Sequence, residues 1–326
     1  MLPLFATLLA CQPPDGDTCS LANNDTCEEL AGCPLGTDAS DCATICDTQP
    51  TSAACLVRIA PVEDDILDED VGSNGSGGLV GTWDGTVTVR GASSSSEVER
   101  QYRVYVPRRY NPETPTPVLF NLGGFTVDMY FLDEYTELNR TADLNNFIVV
   151  YGHPEWRDFG SYWVFSWYVY DSAWSGDWTD NPDLAYLQAV SDEVRSLYNI
   201  DRTRTYVSGH SRGGALSVIA AFELPDVFAG FAAQAGFTSY NNYDQRMMEL
   251  DSHPAAYVLH GDIDPDVPVS ASDDLAEDLL ALGWSEDEDL IYNRLDNVTH
   301  RWQPQYNEQV WSFLVSNPLD ITEAAP

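Results

Sequence analysis

One serine in this chain stands between two glycines where two apolar runs meet: Gly209-His210-Ser211-Arg212-Gly213, inside YVSGHSRGGALSVIAA, Tyr206 to Ala221. A serine hydroxyl is a weak nucleophile until a base takes its proton. The flanking glycines let the backbone turn sharply enough to expose it, as in a nucleophile elbow between a strand and a helix. That corner lies at the carboxyl end of its strand, where open α/β sheets place their ligands. The base is to be sought among His153, His210, His253, His260 and His300. On a sheet of this kind the serine is followed by an acid and then by the histidine. Of the three histidines after Ser211, His253 and His260 fall before or within the strand expected to carry the acid. His300, in DNVTHRW, is left as the base. The loop after AAYVLHG offers three acids, Asp262, Asp264 and Asp266, and spacing alone does not choose among them.

The elements around these residues must hold them together. GTVTVR and ERQYRVYVP alternate as strands do and predict an antiparallel pair. TPVLFNL (116–122), NFIVVYG (146–152), TRTYVSG, FAGFAAQAG, AAYVLHG and LIYNRL read as further strands. Between them Pro182 to Tyr198 carries Leu184, Leu187, Val190, Val194 and Leu197 at helical spacing, and helices are expected over 213–222, 272–282 and 304–315. Strands alternating with helices predict an α/β fold: a mostly parallel sheet covered by helices on both faces.

Composition narrows the setting. The chain has 326 residues, of which 44% are hydrophobic, enough for one large core and a small accessory module. It carries 52 acidic against 15 basic residues, a net charge of −37, and every basic residue is an arginine. Such a charge repels phosphate backbones, so nucleic acid is excluded as a partner. The opening MLPLFATLLAC resembles a bacterial lipoprotein signal (residues 1–10), which implies lipidation of Cys11, attachment to an outer membrane surface and an extracellular or cell-surface location. It lacks the positive residues such signals usually begin with, and it is too short to span a bilayer. The other cysteines, Cys19, Cys27, Cys33, Cys42, Cys46 and Cys55, fall within residues 11–60 and predict a small disulfide-rich N-terminal module in an oxidising compartment. Their spacing lacks the paired knuckles of a zinc site. Asn23, Asn24, Asp25, Asp38 and Asp41 could serve as calcium ligands, but plain turn formers are the expectation. An acidic, Gly/Ser-ending linker follows over 61–78, then a catalytic domain over 79–318 and a tail over 319–326.

Several stretches resemble secreted α/β-hydrolase esterases of the polyhydroxybutyrate depolymerase, feruloyl esterase and acetyl xylan esterase family. They are RQYRVYVPRRYNPETPTPVLFNLGG, LYNIDRTRTYVSGHSRGGALS, HGDIDPDVP and VTHRWQP, in the family's order between residues 79 and 316. The resemblance implies an α/β-hydrolase fold, a serine esterase without cofactor or metal, and Asp264 as the acid of a Ser211–Asp264–His300 triad. The family's His-Gly after the third strand is replaced by Gly123-Gly124-Phe125. An oxyanion hole is built from backbone N–H groups, so the amides of Phe125 and Arg212 are the expected donors. Arg212 departs from the small or uncharged residue usual there; a surface ion pair is expected, with a carboxylate-bearing substrate as the alternative. Between Trp156 and Trp178 the aromatic stretch WRDFGSYWVFSWYVYDSAWSGDW is expected to form a substrate platform, through Trp156, Trp163, Trp174 and Trp178, with Trp302 lining the same cleft. The substrate is then an ester of a polyhydroxyalkanoate or polyester, or a feruloyl or acetyl ester of a polysaccharide. A serine peptidase of the same fold, or a surface-attached binding lipoprotein with a vestigial hydrolase domain, is the alternative.

Overall fold

Uninterrupted apolar runs such as Val118-Leu119-Phe120 and Ile148-Val149-Val150 are shielded only if both faces of the strand are covered. The structure, a computed structural model, describes residues 71–75, 77–91, 97–169, 178–238 and 243–319. The chain divides into two units, Met1–Ile66 and Leu67–Pro326, and every described residue belongs to the second. The lipoprotein-like segment, Cys11, the six cysteines from Cys19 to Cys55, the calcium candidates, Trp174 and the last seven residues lie outside the described residues.

The strands are β1 (Gly81–Arg90), β2 (Glu97–Val106), β3 (Thr116–Leu122), β4 (Ile148–Gly152), β5 (Glu155–Asp158), β6 (Trp163–Ser166), β7 (Ile200–His210), β8 (Gly230–Gln234), β9 (Ala255–Gly261) and β10 (Leu290–Leu295). Eight of them form one sheet in the order β1-β2-β4-β3-β7-β8-β9-β10. The β1–β2 and β2–β4 pairs are antiparallel and all the others parallel, as the alternation of elements predicts. The helices are α1 (Met129–Thr136), α2 (Leu138–Asn145), α3 (Pro182–Leu197), α4 (Arg212–Glu223), α5 (Tyr243–Met247), α6 (Ser270–Leu282) and α7 (Asn307–Val315). Side chains of β3 alternate between two apolar clusters. Val118, Phe120 and Leu122 pack with residues of α3, α4 and α6, while Leu119 packs with residues of α1, α2 and α7. The sheet is therefore covered on both faces.

Two details differ from the sequence expectation. The segment expected as linker up to Gly78 joins the fold from Gly72, which bridges Asp201 in antiparallel fashion. The Ser73 amide donates to the Ile200 carbonyl, and its hydroxyl lies 2.8 and 2.7 Å from the carbonyls of Arg195 and Tyr198. Glycine and serine here serve close backbone approach rather than flexibility. The aromatic stretch, which shows no period in sequence, contains the two-stranded β5–β6 hairpin, whose strands of four residues are too short to declare one.

The hairpin is anchored at its two flanks, His153 and Tyr168, by buried charge. Arg100 pairs with Asp183 at 2.7 Å, with side chains only 5% and 0% exposed. Asp183 also accepts the Tyr168 amide, and Arg100 donates to the His153 carbonyl while its guanidinium lies 4.0 Å from the Tyr186 ring centre. Removing one partner of such a pair strands the other charge in a low-dielectric interior, at a cost of about 3–5 kcal/mol. Asp183→Ala is expected to lower the unfolding free energy in urea by that amount. A loss below about 1 kcal/mol, the range of exposed pairs, would show that Arg100 is solvated instead.

Candidate active site

β7 ends at His210 and α4 begins at Arg212, so Ser211 is the corner between them. Its φ of 58° and ψ of −118° place a side-chain-bearing residue in a conformation that costs on the order of 1–3 kcal/mol. The corner is held open by its neighbours. The Ser211 amide donates to the Gln234 carbonyl at the end of β8 (2.9 Å), and its carbonyl accepts from Ala215 in the first turn of α4 (2.9 Å). Gly213 lies against the Leu122 and Gly123 carbonyls, where a Cβ would overlap both oxygens. Gly124 passes so close that a Cβ there would lie 3.3 Å from that of Ser211. The β3–α1 loop, Gly123-Gly124-Phe125, is thereby brought against the serine. The amide of Arg212, in the first turn of α4, belongs to the set that a helix leaves without an intrahelical partner.

His300 and Asp264 come together as expected. His300 Nδ1 lies 2.6 Å from Asp264 Oδ2, and the Asp264 side chain is wholly buried. The other carboxylate oxygen, Oδ1, accepts the amides of Asp266 and Val267, both at 2.9 Å. Burial pushes the Asp264 carboxyl up, but the Val267 amide, His300 and the Asp266 amide outweigh it and hold it below the usual carboxylate range. The ionised acid fixes the proton of His300 on Nδ1 and leaves Nε2 as the basic nitrogen. The His300 ring in turn lies 4.5 Å from that of His210, the residue before Ser211. Serine, histidine and aspartate are thus gathered at the carboxyl ends of β7, β9 and β10. Asp262, by contrast, accepts the Asn297 amide (2.6 Å), and Asp266 is exposed.

Among the described residues, Asp264, Asp266 and His300 form one group of ligating type whose atoms lie within 4.8 Å of one another. The oxygens of Asp264 and Nδ1 of His300 are already engaged as described. The arrangement suits proton transfer.

Three supporting residues escape the sequence reading. His260, excluded as a base, lies with Nε2 at 3.1 Å from Asp264 Oδ2 and 3.0 Å from the Val267 carbonyl. Both are acceptors, so Nε2 carries the proton, and Ser272 Oγ donates to Nδ1 at 2.7 Å. Gln234 links two parts of the site, because its side-chain oxygen accepts the Gln303 amide (2.9 Å) in the loop that carries His300. Trp167 donates its indole N–H to the Gly123 carbonyl at 2.7 Å. The signal for His260 was available in its place four residues before Asp264; nothing in the sequence marks Gln234 or Trp167.

Arg212 turns toward the hairpin: Nη1 donates to Ser166 Oγ at 2.8 Å, and the guanidinium lies 4.7 Å from the Phe125 ring centre and 5.5 Å from that of Phe159. Of the tryptophans expected at the cleft, Trp178 and Trp302 need correction. Trp156 and Trp163 are 53% and 54% exposed on the hairpin. Trp178 instead packs edge-on against Tyr243. Trp302 is 3% exposed, its indole N–H donating to Asn307, so it belongs to the core and does not line a cleft.

His210 gives the site a pH signature. Its Nε2 is buried without a hydrogen-bond partner among the described residues. Burial first, and His300 next, lower its pKa to about 3. Between the ordinary value near 6.5 and about 3, the unfolded chain therefore binds a proton that the native chain refuses, and stability falls as pH falls. His210→Asn is expected to flatten the decline of unfolding free energy between about pH 6 and 4.5 by up to about 1.4 kcal/mol per pH unit. Parallel urea-derived curves for both proteins would contradict the buried neutral ring.

Comparison with known proteins agrees with this architecture. The family model Esterase, described as "Putative esterase", matches residues 93–315. The chain is 28% identical over 137 residues to a bifunctional acetylxylan esterase/xylanase of Neocallimastix patriciarum, covering 42% of this chain and 18% of that protein. It spans less than a third of the length of the curated relatives it matches. An acetyl xylan esterase from Aspergillus awamori superposes with a TM-score of 0.56 at 13% identity, covering 71% of this chain and 99% of the other. A ferulic acid esterase from Anaeromyces mucronatus, solved with ferulic acid, gives 0.53 at 16% identity, covering 74% and 92%. Those likenesses speak to the fold, which is that of the α/β-hydrolases. With the family match running over more than half of its length, this chain is a member of the esterase family.

Proposed function

We propose that the protein is an exported serine esterase that removes acetyl or feruloyl groups from plant polysaccharide through Ser211, His300 and Asp264. The observation that carries the reading is the 2.6 Å contact between His300 and the buried Asp264, set beside a serine held at a positive φ. Ser211 Oγ attacks the ester carbonyl as His300 Nε2 takes its proton, and Asp264 stabilises the imidazolium. The amides of Phe125 and Arg212 receive the oxyanion. Collapse of the tetrahedral intermediate breaks the ester C–O bond, and the alcohol leaves with the proton from His300. Water then attacks the acyl-serine, His300 again acting as base, and the acid departs as Ser211 regains its proton.

The substrate class rests on two supports. Relatives named for acetylxylan and ferulic acid favour polysaccharide esters over polyhydroxyalkanoates. On the β5–β6 hairpin, the pairings Trp156–Phe165 and Asp158–Trp163 set both exposed tryptophans on one face, where flat rings suit a sugar or an aryl group. Export, lipidation of Cys11 and the disulfide module rest on the sequence of residues 1–60 alone.

The test compares wild type with variants on p-nitrophenyl acetate, acetylated xylan, methyl ferulate and a polyhydroxybutyrate suspension. Ser211→Ala and His300→Ala are expected to lose about 10⁴-fold or more in kcat while remaining folded. Undiminished turnover in Ser211→Ala would sink the mechanism. Asp264→Asn is expected to cost more than Asp262→Asn or Asp266→Asn, and the reverse order would move the acid elsewhere. Cleavage of polyhydroxybutyrate without action on xylan or ferulate would overturn the substrate class.

A further inference from the structure

We propose, resting on the esterase reading above, that the Arg212 side chain is a positioning residue that fixes the Phe125 arm of the oxyanion hole. The backbone of Arg212 supplies one donor of that hole, and its side chain reaches across to the residue that supplies the other. The guanidinium covers the Phe125 ring at 4.7 Å. It also lies 5.5 Å from the Phe159 ring centre, and the two rings meet edge to face at 5.5 Å. Its Nη1 donates to Ser166 Oγ, a buried atom at the end of β6. The neighbouring Thr126 amide donates to the Phe165 carbonyl at 2.9 Å. The loop is thus fastened to the hairpin by its backbone at 126 and by a cation at 125.

Such a restraint answers a specific weakness. The segment before Phe125 is Gly123-Gly124, and glycine restricts the backbone least. A side chain at Gly124 would crowd Ser211, its Cβ lying 3.3 Å from that of the serine, so stiffening the loop there would press on the nucleophile. A donor that is preorganised toward the developing oxyanion contributes far more than one that must first settle, and small misplacements are costly. Arginine suits the task because its planar guanidinium stacks on rings while donating a directed hydrogen bond. The ammonium of lysine is a point charge that cannot do both.

Arg212→Gln and Arg212→Lys, which keep the backbone amide, separate positioning from simple charge. Both are expected to lower kcat for p-nitrophenyl acetate roughly 10- to 100-fold, somewhat less than deletion of an oxyanion donor, with KM within about 2-fold. Affinity for an alkyl boronic acid, a tetrahedral mimic, is expected to fall by the same factor. Phe125→Leu should behave alike, and the double variant Arg212→Gln/Phe125→Leu should be no worse than its poorer parent. Arg212→Lys retains the cation and stands in if Arg212→Gln fails to fold. Wild-type kcat in Arg212→Lys, a change confined to KM, or multiplicative losses in the double variant would overturn the inference. Loss of turnover in Ser211→Ala beside unchanged kcat in the Arg212 variants defeats this inference alone. Retained turnover in Ser211→Ala overturns the esterase reading and this inference with it.

Discussion

The molecule turns on the strained backbone of Ser211. A φ of 58° in a residue with a side chain persists only where the surroundings over-determine it. Here the restraint comes from three directions at once. β7 and α4 fix the two sides of the corner, the Gln234 carbonyl holds its amide, and the carbonyls at the end of β3 press on Gly213. Each of these depends on the parallel order β3-β7-β8 in the middle of the sheet. The last six residues of β7 and all of β8 are buried, so the strain is borne where the structure yields least.

Electrostatics at the site runs against the character of the whole. A chain with a net charge of −37 keeps around its candidate base one ionised acid and two histidines whose pKa values are lowered, chiefly by burial. The four hydrogen-bond contacts on Asp264 keep it ionised despite burial. The neutral state of His210 and His260 means that a proton arriving on His300 meets one buried negative charge and no competing positive ring. The ordering of His260 by Ser272 and of His300 by Asp264 is a chain of directed donors, which sets tautomers as well as positions.

How much of this was legible follows from the length scale of each signal. Strands such as Thr116–Leu122 and the helix from Pro182 were readable because their periods extend over seven residues or more. The order in which such a sheet places serine, acid and histidine singled out His300, whereas Asp264 was picked from three neighbouring aspartates only by the family resemblance, and the structure sets these two 2.6 Å apart. The β5–β6 hairpin was not legible, since strands of four residues are too short for their alternation to stand out in an aromatic stretch. Trp302 was assigned to the cleft because it follows His300 by two residues, but the chain turns between them and Trp302 joins α7 in the core. The Gly/Ser stretch at 72–75 looked like linker because composition cannot reveal that a hydroxyl will replace a strand partner. The partners of Arg212 come from two separate loops, and no local pattern links residues 125, 159 and 166 to position 212.

The all-arginine composition described at the outset has a bearing on how the site behaves as its surroundings change. Three of the fifteen arginines, Arg100, Arg157 and Arg212, have their guanidinium groups close to aromatic rings around the 153–168 segment. A guanidinium stays protonated across the whole range in which an enzyme operates. Contacts to a ring at partly or fully buried positions are also little screened by dissolved salt. These three cation–ring contacts therefore persist as the medium changes, while the buried neutral ring of His210 makes the corner beside Ser211 the part that answers to acid.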